Sequence, residues 1–399
     1  MRYFLQDFME KGDKVLLGLC VLASSFGLLL IYTSTRWMET YRETGIYREV
    51  TVQFFAILIG IVLYILLSVI DFQRFVEKFW QWILCFNIVF LLLLLTPLGT
   101  TNDSGNLNWL DIPGLPVDIQ PNEIVKVSFI LLMAHIIARI HSKDKNINHI
   151  SSLTVICGHA LFTIALVALI CGDWGMCVVY ASIVLVTLWA AGLSIFWFIT
   201  FFTVVLVPTY IAWTYYLPYS SAWDTDYRIL RFRVVLDRTI SQDFMGYHQI
   251  RSMLAIGSGR FFGQGYLHGT QTQSLYSHSL PARHTDFIFS VCGEELGFMG
   301  CTFLLLILAA IVLRCIWISQ QVDSYFSTYV AMGIAGMMLA QIILNVGMCL
   351  FVLPVMGLTL PFVSYGGSSI ITFFVAMGIV SSLRSGNLPS WIRDRSQLG

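Results

Sequence analysis

The sequence predicts an all-α, polytopic integral membrane protein of about ten transmembrane helices, with a large extracytoplasmic loop between spans seven and eight. Three observations predict this. Hydrophobic residues make up 57% of the 399-residue chain, and its mean hydropathy is +0.76. Charged residues are only 12%, about half of the roughly 25% that a water-facing domain carries. Apolar stretches of about 20 residues recur along the whole length, enough for a helix to cross a hydrocarbon core. The same facts exclude a cytosolic enzyme and an outer-membrane barrel, whose strands would be about 10 residues of alternating polarity. The 23 basic and 23 acidic residues balance, so nothing draws the chain to nucleic acid. Nine cysteines, mostly inside apolar runs and without a C-x-x-C, read as small buried hydrophobes. The eight histidines show no paired spacing for a structural zinc.

In chain order the spans fall at roughly 14–33, 51–70, 79–97, 120–140, 150–170, 174–191, 195–216, 286–313, 325–350 and 362–384. The apolar core of the first is too long for a signal peptide, and Thr33-Ser-Thr-Arg36 is a poor cleavage site. The stretch from Asn146 to Trp223 carries one formal charge, Asp173, and must hold three spans. Short loops on the side of the N-terminus hold twelve Lys and Arg, including Lys11, Arg74, Lys143 and Arg384; the opposite ones hold Arg36, Arg42 and Arg48. Both termini are therefore expected in the cytoplasm, and the segment 217–285 faces outward. No internal repeat is evident, which disfavours a transporter built on inverted repeats.

The chain reads as one membrane domain, 1–399, with the loop 217–285 as a subregion too long to be structureless. Asp226–Asp237 alternates apolar residues with Arg228, Arg231 and Arg233. That suits a short amphipathic helix at the membrane surface, its arginines turned to headgroups, to an anionic ligand or simply to water. Seven Arg against four Asp give the loop a positive balance. Its glycines supply turns and bare backbone N–H groups that could cradle an anion.

Ionisable residues inside spans cost roughly 2.5–3.5 kcal/mol on insertion scales and are therefore functional leads. Asp286 opens the eighth span and shares a helical face with Ser290, Gly293, Glu294 and Gly297. It fits a helix cap, or a carboxylate at the water boundary that takes a proton or holds a metal ion. Glu294, two turns deeper, reads as a structural hydrogen-bonding or ion-pairing residue. Glu123 and Lys126, at i and i+3 on the fourth span, can pair, organising the bundle or meeting the substrate. Asp173 in Gly172-Asp-Trp-Gly175 reads as a cap. Gly366 and Gly367, with Ser364, Ser368 and Ser369, form a small-residue surface for close packing, or else a backbone-lined pocket.

These pieces together resemble the SEDS family (shape, elongation, division and sporulation), and its rod-shape elongation branch more than its division branch. The resemblance rests on Gly105-Asn-Leu-Asn-Trp109, Ile119-Gln-Pro-Asn-Glu-Ile-Val-Lys126, Gly172-Asp-Trp-Gly175, Ala255-Ile-Gly-Ser-Gly259, Gly269-Thr-Gln-Thr-Gln273, His284-Thr-Asp-Phe-Ile-Phe, Glu294-Glu-Leu-Gly297 and Pro361-Phe-Val-Ser-Tyr-Gly-Gly-Ser-Ser369, in order along nearly the whole chain. It implies a peptidoglycan glycosyltransferase of the bacterial inner membrane that polymerises lipid II on the outer face. It also implies work beside a class B penicillin-binding protein transpeptidase and other elongation-complex membrane proteins. Asp286 matches the family's essential aspartate, as general base or as ligand of a divalent cation (Mg or Mn). Trp109, Glu123 and Lys126 match its other important positions; Arg231, Gln271 and His284 are the further candidates for substrate contact. The chain departs from the family pattern at Asn108, where Arg is usual, at Asn122 for Ser, at Arg260 for Gly, and in a longer Ser274–Ser279 segment. A lipid II flippase and a division-type polymerase are the rival expectations.

Overall fold

A computed structural model describes residues 8–10, 12–36, 47–101, 106–114, 118–143, 145–237, 239–240, 246–274 and 279–385. Among these residues nine helices are long and apolar enough to cross a membrane, and Trp174–Ala190, at 17 residues, occupies the position of the tenth expected span. Lys11, Arg42, Gly105 and the segment 275–278, named above, lie outside the described residues.

In order, the elements are α1 (Lys14–Thr35), α2 (Arg48–Leu67), α3 (Phe72–Leu92), the hairpin β1 (Gly99–Thr101) and β2 (Leu107–Leu110), α4 (Pro121–His141), α5 (Ile150–Leu166), α6 (Trp174–Ala190), α7 (Ile195–Ile211), α8 (Tyr227–Leu236), α9 (Tyr247–Gly259), α10 (Ile288–Ser319), α11 (Tyr325–Cys349) and α12 (Gly367–Ser385). Asp13 caps α1 through Leu16 N, Asp71 caps α3 through Arg74 N, and Asp173 caps α6 through Met176 N. Each carboxylate satisfies a backbone donor that the first turn of a helix leaves unpaired. The cap at Asp71 starts α3 well before the expected position 79, because the polar first turns with Arg74 and Lys78 are already helical.

The bundle core gathers α1, α2, α4, α6, α10, α11 and α12; α2 lies along α12, and α11 lies against α4, α6 and α10. Large apolar side chains such as Trp82, Leu169 and Trp189 face outward, the inside-out surface that hydrocarbon accepts. Helix α7 has no buried residue at all. At one end of the bundle Asp13 is fully buried between Arg314, at 2.8 Å, and Arg384, at 3.3 Å, tying α1 to α10 and α12. This pairing carries α10 through Arg314 to Ser319, past the expected end at 313.

Two features depart from the expected pattern. Gly99–Thr101 and Leu107–Leu110 pair as the antiparallel strands β1 and β2, Thr100 opposite Trp109, with a further bridge from Leu110 to Ile119. Helix α10 is also interrupted: Gly297 stands at φ +67° and ψ −161°. The segment that follows α9 presses into that break, where a Cβ at Gly297 would lie 2.3 Å from Gly263 N and 2.7 Å from the Phe261 carbonyl oxygen.

Candidate functional site

The N-termini of α4, α6, α10 and α12 meet at the end of the bundle opposite Asp13. Ser369 Oγ of α12 donates to Glu123 of α4 at 3.2 Å, and Tyr365 N donates to the His284 carbonyl at 2.9 Å. The turn before α10, residues 281–287, hangs among them and carries Asp286.

Asp286 is not on the helix face expected of it; α10 begins two residues later, at Ile288. The reason is competition for its carbonyls. Asn345 Nδ2 donates to the Asp286 carbonyl at 2.9 Å and to the Leu358 carbonyl at 2.7 Å. Ser364 Oγ donates to the Thr285 carbonyl at 2.6 Å. Three successive carbonyls, from His284 to Asp286, are thus claimed from α11 and from the approach to α12. Ala282 at φ +47° lets the chain turn, and Phe287 N closes back on the Ala282 carbonyl at 3.2 Å.

The Asp286 carboxylate is half-buried, with Gly357 opposite; a Cβ there would lie 3.8 Å from Oδ2. Burial pushes its carboxyl up to about 6, Arg231 pulls it down and the charge of Asp173 adds to the rise. Arg231 comes from α8, so the loop helix does deliver an arginine to this end. Its guanidinium donates to the Val355 carbonyl at 2.8 Å, to the Tyr227 hydroxyl, and lies over the Tyr227 ring. The other arginines of α8 diverge: Arg228 lies over Trp174, and Arg233 pairs with exposed Asp224. His284 stands beside Tyr365, and burial pushes its imidazole down to about 4, so it is neutral near pH 7.

Asp173 does more than cap α6. Its second oxygen accepts from Asn108 Nδ2 at 3.0 Å, so the residue that replaces the family's usual Arg is joined to a buried carboxylate. Burial holds the Asp173 carboxyl above its ordinary value. Trp109, next on β2, is half-exposed and on the opposite face of the strand from Asn108.

Glu123 and Lys126 pair at 3.0 Å and are 1% and 0% exposed, so both are sealed inside the bundle, the ammonium near the Phe373 ring. Gln271 lies in the Gly269–Gln273 turn, and that turn is bound by Glu294. The Glu294 carboxylate accepts from Thr270 Oγ1, Gln271 N, Thr272 N and Thr272 Oγ1, at 2.6 to 3.0 Å. Gly366 N donates to Gln53 Oε1 of α2 at 3.1 Å, and Gly367 opens α12. Arg260 ends α9 at φ +51°, with its side chain exposed. Asp173 uses one carboxylate oxygen for Met176 N and the other for Asn108. Among the described residues no three of His, Cys, Asp or Glu gather as a ligand set.

Residues 13–387 match the family of FtsW, RodA and SpoVE, described as cell cycle proteins. The chain belongs to this family, the SEDS family of its motifs. Peptidoglycan glycosyltransferase MrdB of Escherichia coli K12 is 32% identical over 373 residues, covering 94% of this chain and 95% of that one. A probable peptidoglycan glycosyltransferase FtsW of Trichlorobacter lovleyi is 32% identical over 385 residues, 95% of this chain and 94% of its own. Among solved structures, a chain of a peptidoglycan synthase complex that coordinates polymerization and crosslinking superposes with TM-score 0.75 at 24% identity, covering 94% of this chain and 98% of that one. The rod shape determining protein RodA of Thermus thermophilus superposes with TM-score 0.64 at 22% identity, covering 95% and 98%. At these identities the structures establish the SEDS fold.

Several residues at this end escaped sequence reasoning. Asn345 holds the Asp286 turn together with Ser364, which the sequence offered only as part of a packing surface. Gln249, buried on α9, donates to the Met348 and Leu353 carbonyls at 2.9 and 2.7 Å. Glu295 accepts from Thr33, Leu267 and Gln273. A buried amide or carboxylate among apolar neighbours was the available signal, but its partners lie up to 262 residues away.

Proposed function

We propose that this SEDS protein is a peptidoglycan glycosyltransferase that polymerises lipid II, with Asp286 as general base. The observation that carries the reading is Asp286 itself: a half-buried carboxylate on a rigidly held turn, facing a guanidinium and titrating near neutrality. A hydroxyl of the acceptor sugar attacks the anomeric carbon of the donor. The new O–C bond forms, the bond to the lipid diphosphate breaks, and the hydroxyl proton passes to Asp286. A base for that step works best when its pKa lies near the operating pH. Arg231 is close enough to stabilise the departing diphosphate. His284, neutral, offers a hydrogen bond without adding charge. Glu123 and Lys126, sealed as they are, act by fixing α4 against α12 rather than by touching sugar. No step here is routed through a metal ion; a divalent cation, if bound, would be held by Asp286 together with the substrate diphosphate.

The excess of Lys and Arg in loops at the Asp13 end supports cytoplasmic termini in a bacterial inner membrane and an outward-facing site. A transpeptidase partner of the class B penicillin-binding type is the partner this reading takes, and the likeness to a chain of a synthase complex that couples polymerization and crosslinking supports it. The elongation role rests on the Gly-Thr-Gln-Thr-Gln segment and the MrdB relative.

The experiment is polymerisation of purified lipid II by the full chain with its partner, comparing Asp286→Ala. Loss of glycan chains by at least about a hundredfold, with thermal unfolding unchanged, is expected for removal of a general base. Undiminished polymer defeats the proposal. Lipid II translocation without polymer favours a flippase.

A further inference from the structure

Beneath the turn of Asp286 lies a set of polar atoms that the chemistry above does not use. Asn122, Lys126, Gln341 and Asn345 are all fully buried. Yet Asn122 Nδ2, Lys126 Nζ, both amide atoms of Gln341 and Asn345 Oδ1 find no hydrogen-bond partner among the described residues. Lys126 Nζ has its ion pair with Glu123 and the face of the Phe373 ring. Buried polar groups left dry carry their full desolvation penalty, and native proteins avoid this.

Helix register brings these groups together. A Cβ at Gly333 of α11 would meet Ile130 of α4 at 2.8 Å and Thr187 of α6 at 3.1 Å, so the three stand at one level. Helix α11 runs antiparallel to α4, since His141 at the end of α4 stacks on Tyr325 at the start of α11. Eight residues on, about 12 Å at 1.5 Å per residue, Gln341 draws level with Asn122. It also draws level with Tyr180 of α6, whose hydroxyl donates to the Asn122 carbonyl at 3.3 Å. Because the two helices run oppositely, Lys126 lies one turn from this level toward the Asp13 end and Asn345 one turn from it toward the Asp286 turn, so Gln341 stands between them.

We propose that Asn122, Lys126, Gln341 and Asn345 enclose a cluster of ordered water under the active turn, and that Gln341 is a positioning residue for Asp286. The set offers both donors and acceptors, which a buried water with two to four partners requires. Gln341 alone supplies both kinds. Through water it joins the Glu123–Lys126 pair to Asn345, and Asn345 grips the Asp286 carbonyl. The positioning half rests on the proposed chemistry of Asp286; the water half does not.

The direct test is a structure of the full chain in lipid nanodiscs at a resolution that shows water. Density about 2.7–3.2 Å from the Gln341 amide, bridging to Asn122, Lys126 or Asn345, is expected. Direct side-chain contacts that satisfy all of these atoms without such density overturn the cluster. The functional test is steady-state polymerisation of lipid II by Gln341→Leu and Gln341→Glu. The leucine variant is expected to lose about tenfold in kcat with KM unchanged, and the glutamate variant, which still accepts from water, to recover most of it. Wild-type kcat in the leucine variant overturns the positioning role. Where that variant does not fold, a glutamate variant no better than an inactive chain overturns it instead. Full activity of Asp286→Ala would remove the base while leaving the water density standing, so the two failures are distinct.

Discussion

Arg231 and Asp286 are the residues whose charges meet at the site, and each is meaningful because of the other. Burial raises the Asp286 carboxyl to about 6 while Arg231 holds it lower than burial alone would. Asp286 is a base only when ionised, so activity should rise as pH rises through its titration. Removing the guanidinium in Arg231→Gln should move that rise to higher pH, and should raise KM because a diphosphate contact is lost. Rate–pH profiles of the two chains check this; a rise at unchanged or lower pH would count against the pairing. Asp286 was legible in the sequence as a costly charge at a span's end. Its place in a turn was not, because Asn345, 59 residues away, takes the carbonyl that a helix would have used. Asp173 was legible as a cap, but its second partner, Asn108, was not, since a hairpin that propensity did not reveal brings it there.

At the scale of elements, the break in α10 is what seats the backbone that follows α9. Gly297 at φ +67° has Gly263 N where a Cβ would be, and Gly259 packs so closely that its own Cβ would lie 1.9 Å from the Gly293 carbonyl. Helix α9 therefore rides on α10 backbone to backbone, and Glu294 and Glu295, on either side of this seam, gather the Gly269–Gln273 turn. Gly297→Ala should cost about 2–3 kcal/mol or more, from strain at positive φ and from displacement of the Phe261–Gly263 backbone that follows α9. Thermal unfolding in detergent checks this, with a wild-type midpoint as the contrary result. The sequence showed glycines that permit close approach, and the structure identifies what approaches. The spans themselves were legible almost throughout, because hydrocarbon demands about 20 apolar residues in a helix whatever packs beside it. Helix α8 was legible from its amphipathic pattern; the hairpin was not, since Gly99, Thr100 and Thr101 pair through backbone rather than through an apolar alternation.

At the scale of the whole molecule, the two ends of the bundle carry opposite assignments. One end is locked by Asp13 between Arg314 and Arg384 and faces the basic loops; the other gathers Asp286, Arg231 and Asp173. The proposed chemistry needs the second end outside. Tyr219→Cys, at an exposed position beyond α7, should react in intact cells with a membrane-impermeant maleimide, and Lys78→Cys at the start of α3 should not. The reverse labelling would turn the molecule over and remove the site from its substrate.

The most direct measurement is the rate of lipid II polymerisation by the full chain and its partner, from about pH 4.5 to about pH 8. A rise centred near 6, absent from the residual rate of Asp286→Ala, is the predicted result. A rate that is flat through that range, or a rise that survives in Asp286→Ala, would contradict the role given to Asp286.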